Sequence, residues 1–566
     1  MKHFQWHAFP PAPPDILAGT GLPHLLIQLL YNRGIKEAAQ LEAYLAADAR
    51  LSHDPHLLPD MDTAVIRIYR ALLAGEKIAV YGDYDVDGIT STALMVQGLE
   101  SLGGNVTPYI PHRITEGYGL NNAALTQLKT EGISLIITVD TGITAIAEVR
   151  QAEELGIDVI VTDHHTPLSE MPEAFAIINP KRAGSAYPFP ELTGAGVAYK
   201  LMMALFQGIG KNNGELPELL DLAALGTIAD IAPLTGENRY LVAEGLRCIN
   251  TKPRPGLKEL AEQAGLECAK LGTDNIAWQL APRLNAAGRL AHAMNGYQLL
   301  ITDSPDEARE LAVWLDEKNT ERQRLTVKVL TMARDEIQGK GISPLLISSN
   351  REYPAGIAGL AASRLTDEFY RPVILISTGE IISSGSCRSI PEFNILQALT
   401  RCGHLLTRFG GHSQAAGFSL LTKNLPEFTK SLFEIAAAEL AGLELYPHLD
   451  IDAEIRLAEL NGATYNLIQK LAPFGHANPV PIFVSRRVRV LDCRTMGREE
   501  EHLRLKLRQN GQVWEAVAFR QGDFLPDLTP FIDIVYNLEV DHWRGDDNLR
   551  LNILDFNESE RPEPRK

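Results

Sequence analysis

Between Lys77 and Asn179, short apolar runs alternate with longer stretches of helical spacing. Lys77–Tyr81 (KIAVY), Val106–Ile110, Leu135–Val139, Val159–Thr162 and Ala176–Ile178 are continuous rather than alternating in their apolar character. That is the pattern of strands covered on both faces. Ile89–Leu99, Ala123–Lys129 and Ala145–Leu155 carry the helical pattern between them. Strands and helices in this alternation predict an α/β fold with a doubly wound, mostly parallel sheet. Several helices follow from Gly196 to about Gly265. Pro305–Gln338 then runs without Gly or Pro and is opened by Asp303-Ser-Pro. As one continuous helix it would span about 50 Å. It reads as a linking strut, because a new α/β pattern begins directly after it.

That second α/β pattern has strands at Leu345–Ser348, Val373–Ile376 and Ile381–Ser384, and helices at Ile357–Phe369, Ile395–Arg401 and Leu425–Ala441. From about Pro447 the apolar period becomes two: Ile482–Leu491, Leu503–Arg508, Val513–Phe519, Ile532–Val540 and Leu549–Leu554, with one helix near Tyr465–Leu471. Asn510-Gly511 between two of these runs is a hairpin signal. Five such strands predict a small β-barrel of the OB type. Ahead of the first sheet lies a Pro-rich and then helical arm (Leu22–Tyr31, Ile35–Leu45), in which no chemistry is visible. The predicted division is an arm over 1–65, a first α/β domain over 66–235, and a helical region with the long connecting helix over 236–340. A second α/β domain over 341–445, a barrel over 446–557 and a polar tail over 558–566 complete it.

At 566 residues the chain is too long for a single core, and 45% hydrophobic with 22% charged residues is the balance of a globular protein. The start has no basic segment followed by an apolar core, so no signal peptide is expected. No apolar run approaches the ~18 residues that a membrane span needs, and no membrane partner is expected. The five cysteines are scattered without a CxxC pair, which predicts a reducing, cytoplasmic setting and no zinc-thiolate site. A net charge of −18 disfavours nucleic-acid binding by the whole surface but leaves room for a local basic track.

Against this background the stretch Tyr81-Gly-Asp-Tyr-Asp-Val-Asp-Gly88 stands out. It sets Asp83, Asp85 and Asp87 at every second position, just past a strand. Carboxylates this close oppose one another's ionisation unless solvated or bound to a cation. Two further strands end in suitable residues: Leu135–Val139 in Asp140-Thr-Gly, and Val159–Thr162 in Asp163-His164-His165. Leu225-Gly-Thr-Ile-Ala-Asp230 adds another Asp at a helix end. Singly, Asp140 could cap a helix, Asp230 could end one, and the His pair could be a satisfied loop. Together they would meet in the crevice at the carboxyl ends of a doubly wound sheet, and carboxylates with an imidazole suit Mn²⁺ or Mg²⁺.

GDYDVDG, TVDTG, TDHH and LGTIAD resemble, in order, the four motifs of the DHH phosphoesterase superfamily. Downstream, Ala281-Pro-Arg-Leu-Asn-Ala-Ala-Gly-Arg289, Ser386-Cys-Arg-Ser-Ile-Pro391 and Arg408-Phe-Gly-Gly-His-Ser-Gln-Ala-Ala-Gly417 resemble the bacterial exonuclease branch of that superfamily and its DHHA1 domain. The resemblance implies 5′→3′ removal of nucleotides from single-stranded DNA, with two divalent ions, in recombination and repair. By motif, it implies that Asp85 and Asp140 bind one ion and Asp87, Asp140, His164 and Asp230 the other, with Asp83 a ligand or neighbour. His165 would face the phosphate. Arg113, Arg289, Arg364, Arg388, Ser389, Gly411 and His412 would contact DNA.

One stretch departs from the family. Where that branch carries Gly-Trp-His, this chain reads Arg351-Glu-Tyr-Pro-Ala-Gly356, leaving Tyr353 as a partial replacement. The barrel adds Arg486, Arg487, Arg489, Lys506 and Arg508 with Phe483, Trp514, Phe519 and Trp543, a mix that suits single strands but is also found in ordinary barrel cores. The family further implies a monomer working with single-strand-binding protein and a repair helicase. The alternative is a phosphodiesterase of the same superfamily acting on short oligonucleotides or cyclic dinucleotides. Such relatives are generally shorter and lack the barrel.

Overall fold

The computed structural model describes residues 4–17, 19–113, 115–210, 216–541 and 548–559. The first sheet has five parallel strands, in the order Asn105–Tyr109, Lys77–Tyr81, Ile133–Val139, Asp158–Thr162, Ala176–Ile178. Helices cover both faces, with a large apolar core on one side and a smaller one on the other. The strand order reverses between Lys77–Tyr81 and Ile133–Val139, and ligand crevices form outside the carboxyl ends at such a switch point. Asp83 and Asp85 follow the first of these strands and Asp140 the second.

The strut is a single helix, Pro305–Lys340, of 36 residues, opened by Ser304, whose side chain accepts from Glu307 N. Its buried stripe is Ala308, Ala312, Leu315, Asn319, Arg322, Thr326, Val329, Ala333 and Ile337, a spacing of three and four. Ala312 and Leu315 join the core of the first α/β domain, while Val329, Ala333 and Ile337 join that of the second. Between them the stripe turns polar.

The second sheet has five strands, in the order Leu406–Gly411, Ala415–Leu421, Ile382–Arg388, Val373–Ser377, Leu346–Asn350. Only its last pair is parallel. Two of these strands were not expected. The glycine-rich segment read as a loop is a hairpin whose outer strand, Leu406–Gly411, is exposed nearly throughout. A strand with no buried face has no apolar alternation to read.

The barrel closes through five strands, Phe483–Met496, His502–Gln509, Gln512–Ala518, Asn548–Glu558 and Phe531–Asp541, the first and last pairing directly. Asn510 and Gly511 both have positive φ (48° and 88°), as a tight hairpin turn requires. Glu558, expected in the tail, ends a strand; 560–566 lie outside the described residues. The arm docks on the barrel. Strand Gln5–Ala8 pairs in parallel with His448–Ile451, and Leu26, Leu29 and Leu30 enter the barrel core. Fully buried Arg239, from the first domain, donates to Tyr44 O (2.8 Å), Leu471 O (2.8 Å) and Ala472 O (2.7 Å), fastening arm, barrel approach and first domain together.

Candidate metal and phosphate site

The triple-Asp stretch is divided by a helix start. The helix expected from Ile89 begins at Val86, so Asp83 precedes it, Asp85 is its N-cap, and Asp87 lies in its first turn. Asp85 Oδ1 accepts from Gly88 N (3.1 Å), and Val86 N donates to Asn285 Oδ1 (3.2 Å). Asp87 points the other way, onto the N-terminus of the helix Gly194–Gly208. Its oxygens accept from Gly194 N (2.7 Å) and Ala195 N (2.9 Å), where free amides and the helix dipole favour an anion. Close approach demands glycine here: a Cβ on Gly194 would meet Asp140 Cβ at 2.4 Å, and one on Gly226 would meet Asp87 Oδ1 at 2.4 Å.

Asp140 adopts left-handed backbone (φ 60°), and Ile231, after Asp230, does the same (φ 57°). Such conformations cost about 1–3 kcal/mol in non-glycine residues and cluster where a side chain must be aimed. His164 Nε2 lies 3.1 Å from Asp140 Oδ1, 3.8 Å from Asp87 Oδ2 and 4.0 Å from Asp230 Oδ2. Three groups have donor atoms within 4.8 Å of one another: Asp83, Asp85 and Asp140; Asp87, His164 and Asp230; Asp140, His164 and His165. Asp83 thus stands with Asp85, and Asp140 belongs to two groups.

The electrostatics of this cluster are uncompensated. Burial first, and then the neighbouring carboxylates, push Asp83, Asp87 and Asp140 well above the ordinary carboxylate range. Burial and Asp85 raise Asp230 to about 7. Asp83 Oδ1 and Asp140 Oδ1 are buried and accept no hydrogen bond. Burial, aided by the charge of His165, lowers His164 to about 3, so its imidazole is neutral and able to act as a ligand. Buried carboxylate oxygens lacking partners, beside a neutral imidazole, fit a hard divalent cation.

Asp163 is a functional residue that the motif reading left without a role. It is fully buried and turned inward, accepting from Ile143 N (2.9 Å), His164 N (2.7 Å) and His165 N (3.0 Å), and pairing with His165 Nδ1 (2.7 Å). Burial opposes its charge, but the bonds to His165 and that ring's charge hold it below its ordinary value. In return, although burial opposes it, Asp163 raises His165 to about 9, so His165 stands as a cation beside the carboxylate cluster.

A cavity of about 1070 Å³ separates this rim from the second α/β domain, lined by Tyr118, His165 and Leu168 on one side and by Ser386, Gly411 and His412 on the other. Arg289 Nη1 reaches across to Gly356 O (3.1 Å). Arg388 is held by Ser363 Oγ (3.1 Å) and Cys387 O (2.8 Å), and Arg113 lies over the Tyr84 ring at 4.8 Å. Burial and the charges of Arg113 and Arg322 lower Arg289 to about 10. A guanidinium so depressed is a cation in want of a counter-charge. Arg322 was not foreseen. It is buried at the polar break of the strut, held by Asn319 Oδ1 (3.1 and 2.9 Å), and the visible signal was the polar triplet Asn319, Arg322, Thr326 in an otherwise apolar stripe.

Other expected contacts are placed differently. Ser389 is buried with its hydroxyl donated to Phe393 O (2.6 Å), whereas Arg364 is exposed near Arg322. Tyr353 is not a surface replacement for the family's aromatic: it is 1% exposed, packed in the second domain's core and bonded to Ser348 Oγ (2.7 Å). On the barrel, Phe483 belongs to the core, while Arg486, Arg487, Arg489 and Arg508 surround a cavity of about 560 Å³ with Phe531. Trp514 and Phe519 line another, of about 890 Å³, with Arg504 and Arg550. Lys506 is exposed, and Trp543 lies outside the described residues.

Residues 77–227 match the DHH family N-terminal domain, 343–438 the DHHA1 domain, and 451–555 the RecJ OB domain. The chain is 38% identical over 542 residues to the single-stranded-DNA-specific exonuclease RecJ of Bacillus subtilis (strain 168), covering 95% of this chain and 68% of that protein. It is 36% identical over 562 residues to the RecJ of Escherichia coli (strain K12), covering 94% and 95%. The crystal structure of RecJ from Thermus thermophilus in complex with Mn²⁺ superposes with a TM-score of 0.86 at 31% identity, covering 99% of this chain and 80% of that one.

Proposed function

The chain belongs to the RecJ family of single-stranded-DNA-specific exonucleases, and from that premise we propose that it removes nucleotides from single-stranded DNA in the 5′→3′ direction. Hydrolysis would use two divalent ions, Mn²⁺ or Mg²⁺, the ions with which the Thermus thermophilus relatives were crystallised. Asp85 and Asp140, with Asp83 beside them, would hold one, and Asp87, Asp140, His164 and Asp230 the other. Bound there, such ions supply Lewis-acid stabilisation of phosphoryl oxygens and make a water easier to deprotonate. The observation that carries the reading is the pair of facing walls: buried carboxylates with two unpartnered oxygens, opposite clustered arginines.

The protein's own residues do the rest. Gly194 N and Ala195 N lock Asp87, so the cluster keeps its shape against its own repulsion. Asp163 keeps His165 protonated and oriented, ready to donate to a phosphate oxygen as negative charge grows. Arg113, Arg289 and Arg388 offer forked donors to the phosphates of the incoming strand. The exposed hairpin tip at Gly411 and His412 lets the backbone approach that strand, and the exposed Arg364 adds charge at its edge. The barrel's arginine-lined cavity extends the basic track through a protein of net charge −18. Among the described residues no helix is long and apolar enough to cross a membrane, and all five cysteines are free. These features support a monomer in a reducing cytoplasm, working with single-strand-binding protein and a helicase in recombination and repair.

The test is digestion of a 5′-labelled long single strand with Mn²⁺ or Mg²⁺. Labelled mononucleotide should appear first, with blunt duplex largely spared. Intact strand alongside turnover of a cyclic dinucleotide would overturn this reading in favour of a small-nucleotide phosphodiesterase.

A further inference from the structure

Lys181 has no role in the site described so far. It lies in the loop leaving the strand Ala176–Ile178, the neighbour of the strand that ends in Asp163-His164-His165. Two hydrogen bonds tie this loop to the histidine loop. Asn179, fully buried, donates Nδ2 to His165 O (2.9 Å) and accepts Lys181 N at Oδ1 (2.8 Å). Lys181 therefore leaves the backbone at a point fixed relative to His165.

The adjacent cation serves the fold. Arg182 Nη1 donates to Asp60 Oδ2 (2.6 Å) and to Ile177 O (2.6 Å), binding the loop to the helix Met61–Ala74 at its N-cap. Lys181 is in no ion pair among the described residues, and its side chain is partly exposed. Its charge nevertheless reaches both walls of the cleft, lowering His164 and Asp230 on one and His412 on the other. Surface lysines commonly find a carboxylate in a chain with 71 acids; this one stands close to a carboxylate cluster without closing on it.

Resting on the nuclease reading above, we propose that Lys181 is a substrate contact, its ammonium binding a non-bridging oxygen of the scissile phosphate between the His164–Asp230 rim and the His412 hairpin tip. A lysine suits this place better than a fork: it is a point charge on a flexible stem and can follow the phosphate from the ground state into the transition state.

The test compares wild type, Lys181→Ala and Lys181→Arg on a 5′-phosphorylated dinucleotide and on a long single strand, with strand binding measured in EDTA as a second readout. For Lys181→Ala, kcat/KM should fall about 10- to 100-fold on both substrates, since both contain the scissile phosphate. Lys181→Arg should recover most of that loss. The slope of log affinity against log salt should decrease by about 0.7, one phosphate contact on a single strand. Melting temperature should not move, because the side chain supports no packing. Unchanged kcat/KM in Lys181→Ala would overturn the contact while leaving the nuclease reading intact. Loss on the long strand alone, removed by added salt, would overturn it in favour of a remote steering charge. A wild type inert on both substrates would overturn the nuclease reading and this contact together.

Discussion

On one wall of the cleft, Asp83, Asp87 and Asp140 are buried at a sheet's switch point and fixed by backbone amides and left-handed geometry. On the other, Arg289 and Arg388 are only half-buried and held by single carbonyl or hydroxyl contacts. Both walls carry charge without a partner, but they differ in what water can do for it. The carboxylates are shut away, so protonation or a cation is their only relief. The arginines keep part of their hydration and tolerate an empty cleft. The rigid wall should therefore act through kcat in an all-or-none way, and the hydrated wall through KM in a graded way.

Asp140 gives the largest expected effect and the sharpest test of the difference. Asp140→Asn should reduce turnover by more than about 10³-fold at any Mn²⁺ concentration, because one residue serves both donor groups. The same change should stabilise the metal-free protein by about 1–2 kcal/mol, since it removes a buried charge that nothing compensates. Thermal melts in EDTA and in Mn²⁺ check both halves: wild type should gain stability on adding the ion, and the variant should gain little. Near-normal turnover, or a variant that melts lower in EDTA, would break the contrast.

Next is Asp163, which touches the rim only through His165. Asp163→Asn keeps the shape but gives up the charge that protonates the imidazole, and kcat should fall about 10²- to 10³-fold with KM little changed. Measuring the pH dependence of kcat distinguishes this from misfolding: the limb belonging to His165 should move to lower pH than in wild type. The smallest effect is expected on the hydrated wall. Arg388→Ala should raise KM about 10-fold and leave kcat within a factor of a few, with a shallower salt dependence. A kcat collapse there would mean that the two walls are not separable in this way.

Which parts of this were legible in the sequence follows from the range of the forces involved. Parallel strands buried on both faces leave unbroken apolar runs, so all five strands of the first sheet could be read, and with them the rim on which Asp140 and His164 sit. The hairpin Leu406–Leu421 could not, because its outer strand faces solvent and its glycines carry no pattern. Asp163 was visible as a letter of a motif, but its inward turn is made by amides from Ile143, His164 and His165, of which the first lies 20 residues away. Gly194 and Gly226 are required by side chains remote in sequence, which no local pattern announces. Tyr353 misled for the opposite reason: an aromatic in a family's contact stretch looks like a contact until the second domain's core is seen to contain it.

The arm's strand has a consequence for synthesis. Gln5–Ala8 finds its partner in His448–Ile451, and His7 meets Asp450 at a separation of 443 positions. Translation at bacterial rates would separate the two by about 20–90 s. Throughout that interval the arm's apolar face, Leu26, Leu29 and Leu30, has left the ribosome without the barrel that covers it. The nascent chain must therefore carry an exposed sticky segment past a completed first domain, and it becomes a finished molecule only when the last strands emerge to receive it.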